Sequence, residues 1–283
     1  MEQYVDIMSD KGFKAVFGDK QVAMNFINAA LKGERQVKDL TYLDKEIQPE
    51  HQDRRTVIFD YLCKDVDGTK FILEMQNCSQ RYFFNRGFYY ICRMVSRQGE
   101  IGSDWKYELL PVYGIYLLNF KLPEFPTWRT DVVLANERTG EPFREIRFKQ
   151  VYISFEQFTL RDEECFDDLE KMVYMLKNMN LFDMSPFKEQ NEAFRHLLDV
   201  ANLQAMTPKE RAEYDENLKI YRDWRNTLEY AVEESLEKGI KKGLEEGRRL
   251  TSLQNAANLK RKGIDPHIIS ECMGVSLEEI EKL

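Results

Sequence analysis

Apolar residues in the first half of the chain switch between two periods. From Ser9 onward they recur at helical spacing through FKAVF and, after a break near Gly18, through QVAMNFINAAL. This predicts one helix capped by Ser9 or Asp10 and a second behind it. Residues 37–48 read as a connecting strand. VIFDYLCKDVDGTKFILEMQ, residues 57–76, has two short apolar runs around a turn and predicts a β-hairpin. QRYFFNRGFYYICRMVSRQ, residues 80–98, predicts a mostly buried aromatic helix. PVYGIYLLNF is almost wholly apolar, as in a central strand covered on both faces. Strands near 130–136 and 145–155 flank the turn sequence ERTGEP. Helix, strands, helix, strands is the order of an α/β sandwich.

From Asp162 the pattern is helical. DEECFDDLEKMVYMLKNM and PFKEQNEAFRHLLDVANLQAM are amphipathic, and Thr207-Pro208-Lys209-Glu210 supplies an N-cap, a first-turn proline and a glutamate at the third position. A long charged helix follows. In it Gly239, Gly243 and Gly247 fall on nearly one face, which admits a close-packed neighbour; charged flanks exclude a membrane reading. Residues 258–283 stop at Gly263, restart at Asp265-Pro266, stop near Gly274 and restart at Ser276. The division expected is 1–160, a helical extension 161–206 packing on that core, and 207–283, the charged helix with its tail.

The charge balance narrows the partners. With 41 basic and 49 acidic residues the chain carries −8, so any nucleic-acid site must be local. Charges spread through MEQYVDIMSDKGFK, and the lack of a long uncharged apolar run, predict a soluble, cytoplasmic chain with no membrane partner. Cys63, Cys78, Cys92, Cys165 and Cys272 are scattered without a C-x-x-C pair and are expected to stay reduced.

The hairpin carries the chemistry. A three-residue loop Val66-Asp67-Gly68 sets Asp65 opposite Thr69, so residues whose numbers sum to 134 face each other. Asp60 then lies across from Glu74, with Gln76 diagonal to it on the same face, while Phe59 with Met75 and Tyr61 with Leu73 fill the other. Opposed carboxylates repel. A raised pKa on one acid resolves the conflict, and so does a divalent cation between them. In a purely structural hairpin, both acids would instead lie near solvent or pair with Arg81 or Arg86. Lys70 shares the face of Glu74 but lies about 13 Å along the strand, too far to assist it.

An aspartate followed about fourteen residues later by E-x-Q on the next strand, and then a helix, resembles the PD-(D/E)XK nuclease fold. More narrowly, SDKGFKAVFGD, FDYLCKDVDGTKFILEMQ, NRGFYY and PVYGIYLLNF resemble the Rpn family of PD-(D/E)XK nuclease family transposases over roughly residues 9–160. The resemblance implies an α/β, restriction-endonuclease-like core with a mostly helical C-terminal region. It further implies Mg²⁺- or Mn²⁺-assisted hydrolysis of DNA phosphodiesters in transposition or recombination, with limited sequence preference. It places catalytic residues at Asp60, Glu74 and Gln76, with Asp10, Lys14 and Arg86 as further contributors, and the metal on Asp60, Glu74 and the Met75 carbonyl. Gln76 stands where the superfamily usually has lysine, and its amide brings no positive charge. That departure also allows an inactive nuclease-fold module binding nucleic acid or protein. The tail resembles the small helix-turn-helix-like appendage of this family, yet Glu278, Glu279 and Glu281 would sit on its recognition helix and repel phosphates. Helical packing or self-association through the C-terminal helices is the favoured role.

Overall fold

In the computed structural model, the structure describes residues 2–47, 57–99, 106–143, 145–182 and 185–283. Residues 1–221 form one compact unit and 222–283 a second. The first opens with α1 (Asp10–Phe17) and α2 (Lys20–Ala30). Ser9 caps α1 by accepting the Gly12 N–H, and Asp19 caps α2 by accepting those of Gln21 and Val22. The predicted break at Gly18 is therefore a cap-to-cap junction. Strands follow: β1 (Leu40–Tyr42), β2 (Glu46–Ile47), β3 (Val57–Ile58), β4 (Tyr61–Asp65) and β5 (Lys70–Gln76). Helix α3 (Phe83–Ser96) comes next, then β6 (Val112–Leu118), β7 (Arg129–Val133) and β8 (Phe148–Ser154), and finally α4 (Asp168–Asn178) and α5 (Glu192–Ala201).

Among the described residues, six strands pair in the order β1-β4-β5-β6-β8-β7. The β5, β6 and β8 strands run parallel, and all seven residues of β6 are buried, as its continuous apolar run requires. One face of the sheet packs on α1, α2, α4 and α5 through Phe71, Leu73, Ile115 and Val151. The other face lies under α3, against Phe83, Ile91 and Met94. This mixed α/β sandwich fits the expected fold class. Two details differ. The connecting strand predicted over 37–48 is two short pieces, β1 and β2, and residue 48 lies outside the described residues. Helix α3 starts at Phe83 and is buried on one face only: Tyr82, just before it, and Phe88 and Tyr89 within it are exposed.

The hairpin loop forms as the spacing demands. The Asp65 N–H donates to the Thr69 carbonyl at 3.0 Å, and Gly68 adopts φ +83°, a conformation that suits glycine. The Asp65 carboxylate is buried, accepts the N–H groups of Asp67 and Thr69, and pairs with Arg35, whose Nε lies 3.0 Å away. Replacing Arg35 by alanine strands that buried charge. Stability is expected to fall by about 2 kcal/mol, read as a lower urea midpoint at unchanged slope.

The N-terminal segment is tied in late. The Val5 N–H donates to the Ala201 carbonyl and the Leu203 N–H to the Gln3 carbonyl, while Tyr4 bridges to Asn202. Helix α6 (Pro208–Arg261) begins in this unit, where the Tyr214 hydroxyl accepts the Asp6 N–H at 2.8 Å.

In the second unit, α7 (Pro266–Met273) and α8 (Leu277–Glu281) fold onto the last turns of α6, burying Ala256, Ile269, Val275 and Ile280 together. The predicted stops and caps are where the sequence sets them: Gly263 and Gly274 have positive φ, and Asp265 and Ser276 are N-caps. Lys260 donates to the last carbonyls of α8, at Ile280 and Glu281. The three helices thus hold a small core of their own.

Candidate active site

The ladder of β4 and β5 pairs Tyr61 with Leu73, Leu62 with Ile72 and Cys63 with Phe71, the register that continues to Asp60 opposite Glu74. At Asp60 the chain bends out of the ladder, and its carboxylate accepts the Met75 N–H at 3.0 Å. The bend breaks strand alternation. Phe59 consequently turns to the α3 face, edge-on to Tyr90 at 5.0 Å, instead of facing Met75 as alternation predicts. Tyr61, Leu73 and Met75 pack on the opposite, α1-side face, as expected.

Glu74 is 4% exposed, on the face covered by α3. Burial, then the nearby charge of Asp60, push its carboxyl up to about 8, against a smaller opposing pull from Arg86 and a 3.4 Å contact with the Gln76 amide. Asp60 is partly buried and its pKa is also raised, first by burial and then by Asp10, while the Met75 N–H, Lys14 and Lys45 pull it down. Two acids thus share one low-dielectric corner. They titrate as a pair, and the deeper one, Glu74, holds a proton at neutral pH when no cation is near.

Helix α3 brings a counter-charge. Arg86 donates to Gln80 at 2.8 Å, while its Nη2 is buried with no hydrogen-bond partner among the described residues. Gly87 lets the helix approach: a Cβ there would stand 2.9 Å from Gln150 Nε2 and 3.2 Å from the hydroxyls of Tyr116 and Tyr152. In the parallel ladder Glu74, Tyr116 and Tyr152 are lateral neighbours across β5, β6 and β8. Burial and the charge of Glu74 raise the pKa of both Tyr116 and Tyr90, so these phenols stay neutral beside the acid.

Sequence reasoning passed over both tyrosines. Tyr90 lies one helical turn after Arg86 and was legible by that spacing. Tyr116 was not, because a strand's spacing says nothing of its parallel register.

A family model described as PD-(D/E)XK nuclease family transposase matches residues 7–231. The chain belongs to this family. No curated protein and no solved structure matches it.

The residues that the family resemblance singles out divide by position. Asp60, Glu74 and Gln76 lie together at the hairpin end, and the charge of Arg86 is felt at Glu74. Asp10 and Lys14 sit on α1, ion-paired at 2.6 Å, and both charges are felt at Asp60. Arg81 is exposed and lies over the Tyr82 ring at 5.6 Å rather than on the carboxylates. Among the described residues no three His, Cys, Asp or Glu side chains gather to hold a metal ion. The residues named for the metal, Asp60, Glu74 and the Met75 carbonyl, offer only oxygen ligands, two of them carboxylates. That chemistry fits Mg²⁺ or Mn²⁺, with water completing the shell, better than Zn²⁺.

Proposed function

We propose that the chain is a divalent-cation-dependent DNA endonuclease of the transposase kind, hydrolysing phosphodiester bonds with limited sequence preference in transposition or recombination. The observation that carries this reading is the meeting of Asp60 with the buried Glu74 at the hairpin end. A carboxylate pair is costly to bury and is relieved by a cation with oxygen ligands. Asp60, Glu74 and the Met75 carbonyl would hold Mg²⁺ or Mn²⁺. When bound, such an ion supplies an activated water and offsets charge on the scissile phosphate.

The chain's own groups do the rest. Asp60 is fixed by the Met75 N–H, so its second oxygen keeps a defined direction. The Gln76 amide, beside Glu74, orients water or donates to a phosphate oxygen but transfers no proton near neutrality. Arg86 contributes the positive charge that Gln76 lacks, with one N–H group uncommitted.

Relaxation of supercoiled plasmid by the wild-type chain, with and without Mg²⁺ or Mn²⁺, tests the proposal. Nicking that needs the metal is expected. An intact fold that never nicks would sink the nuclease and favour a non-catalytic binding module, the reading that Gln76 and the −8 charge support. Gln76→Lys is expected to raise nicking about tenfold by adding a mobile cation beside the phosphate. A loss in that variant would show that the amide itself is required.

A further inference from the structure

The hairpin face under α3 repeats one device with the sign reversed. The ladder sets Lys64 directly opposite Lys70 and Leu62 opposite Ile72, on the same face where its register continues to Asp60 and Glu74. Like charges directly opposite each other destabilise a sheet. A third cation stands close by. Burial first, then the charges of Arg97 at the end of α3 and of Lys64, lower the pKa of Lys70. Among the described residues no carboxylate pairs with any of the three. The carbonyl end of α3 carries about half a negative charge, enough to offset one cation in part but not three.

The surroundings suit a polyanion. Residues 75–99, which include all of α3, hold four arginines and no acid in a chain of net charge −8. Helix α3 runs back along β5, so the charge of Arg86 is felt at Glu74 and that of Arg97 at Lys70. On the β4 side Lys64 is exposed and Asp60 half-buried, which leaves both ends of the face open to solvent. Four residues of extended chain, about 13 Å, separate them. A DNA strand covers that length in about four steps of 3.4 Å.

We propose that Lys64, Lys70 and Arg97 form a phosphate-binding subsite for DNA, holding a backbone phosphate about four nucleotides from the bond cut at Asp60 and Glu74. The subsite presupposes that acid pair as the centre of cleavage. One end of the face gathers acids for a cation, and the other gathers cations for the strand on which that cation acts. A phosphate contact fixes the strand's position without reading its bases, in keeping with limited sequence preference.

Fluorescence anisotropy of a labelled DNA duplex with the full chain, over a series of NaCl concentrations, reads the contact. Ca²⁺, which takes the same oxygen ligands, replaces Mg²⁺. Lys64→Gln combined with Lys70→Gln is expected to weaken binding about tenfold near 0.1 M salt and to lower the slope of log Kd against log salt by about one, the mark of one lost phosphate contact. Lys32→Gln with Lys38→Gln removes the same net charge from exposed positions after α2 and should change neither. The urea midpoint of the hairpin variant should hold or rise, because the repulsion across the ladder is gone; this separates lost binding from lost fold. Equal binding by wild type and hairpin variant overturns the subsite. So does an equal loss in both double variants, which would show that only net charge is read, and so does a wild type that binds no DNA. Plasmid nicking by the same preparations keeps this result apart from the nuclease itself. Lysine-dependent binding without any nicking retains the phosphate contact and removes the nuclease, whereas metal-dependent nicking with lysine-independent binding removes the subsite alone.

Discussion

Metal-dependent plasmid nicking is expected to fall at least a thousandfold in Asp60→Ala and in Glu74→Gln, a barrier increase of about 4 kcal/mol. Each substitution removes one of the two charges that converge at the hairpin end, and the acid left behind cannot balance a divalent cation alone. The folds should survive. Asp60 is partly buried and surrenders one hydrogen bond, from the Met75 N–H, while glutamine preserves the shape of Glu74 in its buried place. Purified identically and compared with wild type, both variants should show native circular dichroism and no Mn²⁺ binding by calorimetry. Equal nicking in all three preparations would reveal a contaminating nuclease and remove these acids from the mechanism.

The second large effect is on stability, and it runs the other way. The Glu74 carboxyl rises from an ordinary 4.5 to about 8 on folding. Below pH 4.5 it is protonated folded or unfolded and contributes no difference. Between 4.5 and 8 the unfolded chain gives up the proton that the folded chain keeps, so the folded state loses stability as pH rises, at up to 1.36 kcal/mol per pH unit. Above 8 the loss is complete. Glu74→Gln lacks this titration and is expected to be more stable than wild type by roughly 4 kcal/mol at pH 8, with little difference near pH 4.5. Urea midpoints measured from pH 4.5 to 9 without metal decide it. The wild-type curve should decline relative to the variant, and Mg²⁺ at pH 8 should recover the wild type alone. Parallel curves would mean that Glu74 ionises as freely folded as unfolded.

Most of the hairpin was legible in its letters. Gly68, in the one loop position that favours positive φ, fixes the register, and the register brings Asp60 to Glu74. What alternation could not foresee is the bend at Asp60, where a side chain takes a backbone N–H and turns Phe59 toward α3. The strand expected over 37–48 broke for a similar reason: a local run of apolar residues does not say where pairing partners end. Arg86 was named through family likeness, but its buried, uncommitted Nη2 depends on the close seat of Gly87, which only the packed helix and sheet disclose. The parallel neighbours Tyr116 and Tyr152 come from distant segments, and no short-range pattern encodes their adjacency to Glu74. In the tail, by contrast, stops and caps act within a few residues, and every one of them was readable.

The clasp between the first residues and positions 201–203 sets a timetable for synthesis. Val5 is synthesised some two hundred residues before the Ala201 carbonyl that receives its N–H, about 10 to 40 s at ordinary elongation rates. Through that interval the clasp's two backbone hydrogen bonds cannot form, and a message cut short upstream of Ala201 yields a polypeptide that can never close them. Such a product leaves the Val5 N–H and the Gln3 carbonyl without the partners they hold in the closed unit, so that segment offers proteases an untied backbone.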